Sequence, residues 1–248
     1  MLRQSFIFLD RFGHKKEKFL WQQGIRDWDD FLHAKRIRGI SPLKKMACDR
    51  QILSAREALR SSNPKYFTLL PAAEQFRLWD EFHEKVLFLD IETSSYYRDI
   101  TVIGMFDRDR VMTLVKGYNL DRELFLQTLS RYDILVTFNG RAFDVPVIRQ
   151  YFSLDIDIPH IDLMTVCRRI GLTGGLKRIE AELGIRREDG VVGVTGEDAV
   201  YLWESFRISK DPHYLNKLLR YNEEDVINMV PIAEYAIPLL WEQVTLHA

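Results

Sequence analysis

The chain has only two cysteines among its 248 residues, Cys48 and Cys167, which lie far apart with no Cys-x-x-Cys pair. That excludes a disulfide framework and a thiolate zinc site, and it fits a reducing, cytoplasmic setting. No apolar run approaches the roughly 20 residues that a membrane helix needs, and the apolar part of the N-terminal segment breaks off too early for a signal peptide. Internal repeats and low-complexity stretches are missing too. Net charge is nearly absent, at -1, but the two ends of the chain differ. Residues 1–84 carry sixteen Lys and Arg against eleven Asp and Glu, whereas the remainder carries nineteen against twenty-five. A basic front half fits a polyanionic partner or a plain solvated surface. An acidic remainder is at odds with a nucleic-acid partner unless divalent cations offset it.

What is present is an ordinary globular composition, 46% hydrophobic and 29% charged, long enough to bury a core. The texture changes near residue 84. Before it, FLWQQGIRDWDDFLHAKRI and LKKMACDRQILSAREALRS have apolar residues at three- and four-residue spacing, which predicts amphipathic helices. FIFLDRF near the start reads as a packing strand. After residue 84 strands are expected at VLFLDI, DITVIGMF, RVMTLV and DILVTF, the middle two joined by a polar hairpin turn at residues 107–110. Asn119 is a candidate cap for a helix leading into DILVTF. Beyond Pro159 the chain reads as mostly helical, and Pro231 should end or kink the last helix. Turn-linked strands followed by alternating strand and helix predict an α/β domain with a mixed sheet over residues 85–248, behind a mainly helical extension at 1–84.

Three short patterns carry the chemistry. In VLFLDIET the run Val86-Leu87-Phe88-Leu89 is apolar on both pleat faces, as in a central strand, and it ends in Asp90 and Glu92. Two residues apart on a strand, these acids leave the same face and raise each other's pKa unless a cation sits between them. Hard oxygen donors of that kind suit Mg²⁺ or Mn²⁺. A second Asp-x-Glu, Asp121 and Glu123, falls in the first turn of a helix, where it complements the helix dipole. The next pattern is Asn139-Gly140-Arg141-Ala142-Phe143-Asp144, directly after DILVTF. It fits a turn with Asp144 as a helix cap, or an acid delivered to a sheet crevice. The third is Tyr221 and Asp225, spaced i, i+4 on one helix face.

Taken in order, Asp-x-Glu on a first strand, Asn-x-x-x-Phe-Asp after a later one and Tyr-x-x-x-Asp on a late helix resemble the DEDD exonucleases. These are 3′→5′ exonucleases of the ribonuclease-H-like superfamily. Position 220 is Arg rather than His, so the resemblance is to the tyrosine subtype. The Asn-x-x-x-Phe-Asp form is similar to the proofreading domains of family B DNA polymerases. HIDLM from His160, LKRIEAELGI from Leu176 and the segment at residues 196–203 resemble the stand-alone bacterial branch of the YprB type. The resemblance covers about residues 85–235.

It implies a ribonuclease-H-like mixed sheet flanked by helices. It also implies two divalent metal ions, Mg²⁺ or Mn²⁺, held roughly 4 Å apart by Asp90, Glu92, Asp144 and Asp225. Tyr221 would orient the attacking water. Thr93 and Asn139 are candidates for holding the terminal nucleotide, although Asn139 fits equally the role of fixing the turn. Phe143 fits base stacking or the core, and His160 with Asp162 fit support from behind the site or a plain strand-end pair. Arg141, Lys177 and Arg178 are candidates for phosphate contact. The expected substrate is a single-stranded nucleic acid 3′ end, DNA favoured over RNA, cut to nucleoside 5′-monophosphates with no membrane involved. The alternative is a non-catalytic nucleic-acid-binding or scaffold protein on the same fold. Within residues 1–84, the Lys cluster and Gly24-Ile25 resemble half of a helix-hairpin-helix module; a helical cap packed on the nuclease is the preferred reading.

Overall fold

The computed structural model describes residues 1–95 and 99–246. Five strands form one mixed sheet in the order β3-β2-β1-β4-β5, where β1 is Val86–Thr93, β2 Ile100–Phe106, β3 Val111–Val115, β4 Ile134–Thr137 and β5 His160–Asp162. β1 to β3 are antiparallel neighbours joined in sequence order, while β4 and β5 add in parallel on the other side of β1. The first strand is therefore central, which explains why both of its faces are apolar.

Among the described residues, ten α-helices surround the sheet. α1 (His14–Gln22), α2 (Trp28–His33), α3 (Pro42–Arg60) and α4 (Trp79–Phe82) precede it. α5 (Arg122–Leu129) and α6 (Asp144–Phe152) are crossovers, followed by α7 (Leu163–Arg169), α8 (Leu176–Glu182), α9 (Gly196–Ser209) and α10 (Pro212–Leu246). The period of two along β1 divides its side chains. Leu87, Leu89 and Ile91 join a core with Phe125 of α5 and Val147, Ile148 and Phe152 of α6. Val86 and Phe88 join the opposite core, with Val226, Met229 and Ile232 of α10. Asp90 and Glu92 continue the second series, so they lie on the face that α10 covers.

The N-terminal helices share that same core: Phe6, Leu20, Trp21, Phe31 and Ile52 belong to one continuous cluster with Val86, Val136 and Leu240. Arg77, fully buried, bonds Glu17 of α1 at 2.8 Å and Glu74 at 2.7 Å, and Arg169 of α7 reaches Glu74 at 2.9 Å.

Several expectations are corrected. FIFLDRF is not a strand; it is a chain of tight turns (Leu9 N to Phe6 O, Phe12 N to Leu9 O) with Phe6, Ile7, Phe8 and Leu9 buried. It pairs with none of the five strands; the Phe6 amide bonds the Glu17 carboxylate instead, and the buried side chains hold the turns in place. The cap of α5 is Asp121, whose carboxylate accepts from Leu124 N. Asn119 is spent inside the preceding turn, accepting from Val115 N and donating to Thr113 O. Of the end or kink expected at Pro231, the end does not occur: α10 runs on through Pro231 and Pro238. Each proline costs about 3 kcal/mol in a helix interior, offset here by the burial of Ile232, Ala233, Ala236, Ile237 and Leu240 beyond the first. The hairpin turn at residues 107–110 is as expected, closed by Asp107, which accepts from Asp109 N and Arg110 N.

Candidate active site

The C-terminal end of β1 meets the middle of α10 across a cleft of about 350 Å³. Strand periodicity sends Asp90 and Glu92 toward α10, and the i, i+4 spacing of that helix returns Tyr221 and Asp225 toward the strand. The outcome is a group of carboxylates from Asp90, Glu92 and Asp225 whose ligand atoms all lie within 4.8 Å of one another. Asp144, at the start of α6, lines the same cleft but stands outside that group. Its Oδ1 accepts from the Ile91 amide at 3.1 Å, which ties the acid to the strand edge from the side of the sheet opposite α10.

Burial and mutual repulsion act together on these acids. Burial pushes the Asp90 carboxyl well above the usual range, and repulsion from Asp144, Asp225 and Glu92 adds to it, with the Asn222 bond pulling the other way. Glu92 is raised well above its usual value by burial, then by Asp225 and Asp144. Asp144 is pushed up to about 7 by burial, with its own amide and that of Ile91 restraining the rise. Asp225 is also raised by burial, against the pull of Arg187. Clustered, desolvated carboxylates are hard oxygen donors that fit a divalent cation such as Mg²⁺ or Mn²⁺, with Arg187 and Lys177 offsetting part of their charge.

Tyr221 is buried beside them, with the Lys177 ammonium 4.6 Å and the Arg187 guanidinium 5.6 Å from its ring centre. Burial and the adjacent carboxylates push its phenol upward, so the hydroxyl stays protonated.

The turn between β4 and α6 is built from underneath. Asn139 takes a left-handed conformation (φ 63°), and the Asn139 and Arg141 amides both donate to Asp162 at 3.1 Å. Asp162 also caps α7 through Met164 N and Thr165 N. The Gly140 amide donates to Thr137 Oγ1, which lies 2.8 Å from His160 Nε2; a Cβ at Gly140 would fall 2.5 Å from Thr137 Cβ. His160 is therefore enclosed, and burial lowers its pKa to about 3. His160 and Asp162 hold the turn and do not line the cleft, whereas Thr93, Asn139 and Phe143 do line it. Of the three phosphate candidates, Arg141 is spent on the carbonyls of His160 and Ala72, and Arg178 faces Glu182. Lys177 stays at the site, donating to Val194 O while covering Tyr221.

Two contacts were not expected from the sequence. Arg187, in the loop after α8, bonds Asp225 and forms a two-pronged pair with Glu180 at 2.7 Å. Nothing in its local pattern marks it, because the loop has no periodicity. Asn222 Nδ2 donates to Asp90 Oδ2 at 2.8 Å. Its signal lay across the sheet, in the glycine that interrupts the apolar strand ITVIGMF.

The sequence model of the RNase H superfamily matches residues 87–237. No curated protein matches the chain by sequence. Among solved structures, the family B DNA polymerase from the hyperthermophilic archaeon Pyrobaculum calidifontis is similar, with a TM-score of 0.52 and 18% identity over 64% of this chain. The matched part is 25% of the polymerase, so the likeness is one of fold over a fraction of that protein.

Proposed function

The chain belongs to the RNase H superfamily, and from that premise we propose that it is a metal-dependent 3′→5′ exonuclease of the tyrosine DEDD subtype. Its substrate would be single-stranded nucleic acid, DNA favoured over RNA, and its products nucleoside 5′-monophosphates. The observation that carries this reading is the convergence of Asp90, Glu92 and Asp225 from two distant segments, with Asp144 and Tyr221 in the same cleft.

Asp90, Glu92, Asp225 and Asp144 would hold two divalent ions, Mg²⁺ or Mn²⁺, which when bound supply an activated water and offset charge on the phosphoryl oxygens. Tyr221, kept protonated by its surroundings, would orient that water through its hydroxyl rather than accept its proton. Thr93 and Asn139 would hydrogen-bond the terminal nucleotide and Phe143 would stack on its base. His160 and Asp162 would act only by holding the turn that presents Asn139 and Asp144. Residues 1–84 would form a cap integral to the nuclease domain at 85–248, in keeping with the shared core.

The test is incubation of the purified chain with 5′-labelled single-stranded DNA and RNA in Mn²⁺, Mg²⁺ or EDTA. The expected result is metal-dependent shortening from the 3′ end, abolished in Asp90→Ala and Asp225→Asn. Shortening from the 5′ end, or full activity in Asp225→Asn, would overturn the mechanism. Binding without any cleavage would favour a non-catalytic nucleic-acid-binding role.

A further inference from the structure

Gly104 of β2 stands opposite Asp90 of β1 in the strand register. Its backbone is ordinary extended strand, so conformational freedom does not explain a glycine there. Space does. A Cβ at this position would fall 2.8 Å from Asn222 Cγ and 3.3 Å from Nδ2, and closer still to Oδ1. The missing side chain opens a gap in the sheet surface, and the Asn222 amide of α10 fills it.

Asn222 is fully buried. Its Nδ2 donates to Asp90 Oδ2 at 2.8 Å, and its Oδ1 has no partner among the described residues. For packing alone this is a poor choice: an orphaned carbonyl is desolvated without compensation, and an apolar side chain would avoid that cost. The amide nitrogen must face the acid, because an ionised carboxylate only accepts. An uncharged donor fixes Oδ2 without supplying a counter-cation. That bond takes up one oxygen of Asp90 and leaves the other outside it, while a carboxylate oxygen of Asp90 belongs to the group with Glu92 and Asp225. Asp225 is supported differently, by the charged Arg187.

We propose that Gly104 and Asn222 are a matched pair of positioning residues: the side chain absent at 104 admits the amide at 222, which sets the orientation of Asp90 for divalent-cation binding. This rests on the reading of Asp90 as a metal ligand.

The test compares wild type with Asn222→Ala, Gly104→Ala and the double variant, by calorimetric Mn²⁺ titration and by thermal unfolding in EDTA. Asn222→Ala should bind Mn²⁺ roughly ten- to hundredfold more weakly, the usual effect of removing a ligand's supporting hydrogen bond. Its nuclease rate should recover as Mn²⁺ is raised, which that of Asp90→Ala should not. Gly104→Ala should lose both stability and affinity, because its methyl displaces the amide. In the double variant the methyl occupies the vacated space, so thermal stability should return while Mn²⁺ affinity stays low. Recovery of affinity together with stability, or wild-type affinity in Asn222→Ala, would overturn the proposal and leave the site reading standing. A wild-type chain that binds no Mn²⁺ would overturn both.

Discussion

A buried carboxylate set among other acids is a liability without a counter-cation, and Asp90 carries that cost. It is desolvated and faces three other acids, with the neutral Asn222 amide in support. Asp90→Asn removes one charge and keeps an oxygen for the amide. It should abolish nuclease activity yet raise the melting temperature of the metal-free protein at neutral pH by a few degrees, about 1 kcal/mol being worth roughly 2–4 °C at this chain length. Calorimetric scans in EDTA read this directly, and a lower melting temperature would contradict it. The pH dependence has the same origin. Asp144 binds its proton more tightly in the fold, at about 7 against an ordinary 3.8. Its charge therefore opposes folding above that window, and metal-free stability should rise as pH falls through it. Divalent cations, which need the acids ionised, should act in the opposite direction.

At the scale of elements, the β4–α6 turn depends on β5 beneath it. His160 is held neutral there, with a folded pKa of about 3 against 6.5. The unfolded chain takes up this proton first. The contribution of His160 to stability is thus complete above 6.5 and lost as pH falls toward 3. His160→Leu should be less stable than wild type at neutral pH, having lost the partner of Thr137, and should lose less on acidification. Urea midpoints at neutral and mildly acidic pH measure it; because the carboxylates move stability the other way, the difference between the two proteins is the readout. Parallel acid arms for the two would show that His160 does not titrate. Local pattern predicted these elements well: β1, the β2–β3 hairpin and the i, i+4 pair of Tyr221 and Asp225 are all where their periodicity put them. It failed where a choice between local rules depended on neighbours. Asp121 outcompetes Asn119 as a cap, and of the end or kink expected at Pro231 the end does not occur, because the far half of α10 is buried.

Across the whole molecule, the buried ion network of Arg77, Glu17, Glu74 and Arg169 joins the N-terminal helices to the sheet layers. Arg77→Met would leave two carboxylates poorly paired in the interior, a loss of about 3–5 kcal/mol. We expect one cooperative urea transition at lower midpoint, with nuclease activity falling alongside it. Separate unfolding of residues 1–84 with activity retained would contradict their integration into one core.

The sequence by itself determined what acts along a few residues of chain: the apolar strand, two acids on one of its faces, and a tyrosine and an acid one helical turn apart. Backbone periodicity is local, so those facts need no partner. Only the tertiary structure decided which sheet face α10 covers, that Arg187 braces Asp225, and that Asn222 reaches Asp90 across 132 residues of chain through the space left by Gly104. Charge, desolvation and steric fit act through space, and their partners are chosen by the packing of elements that no local pattern relates.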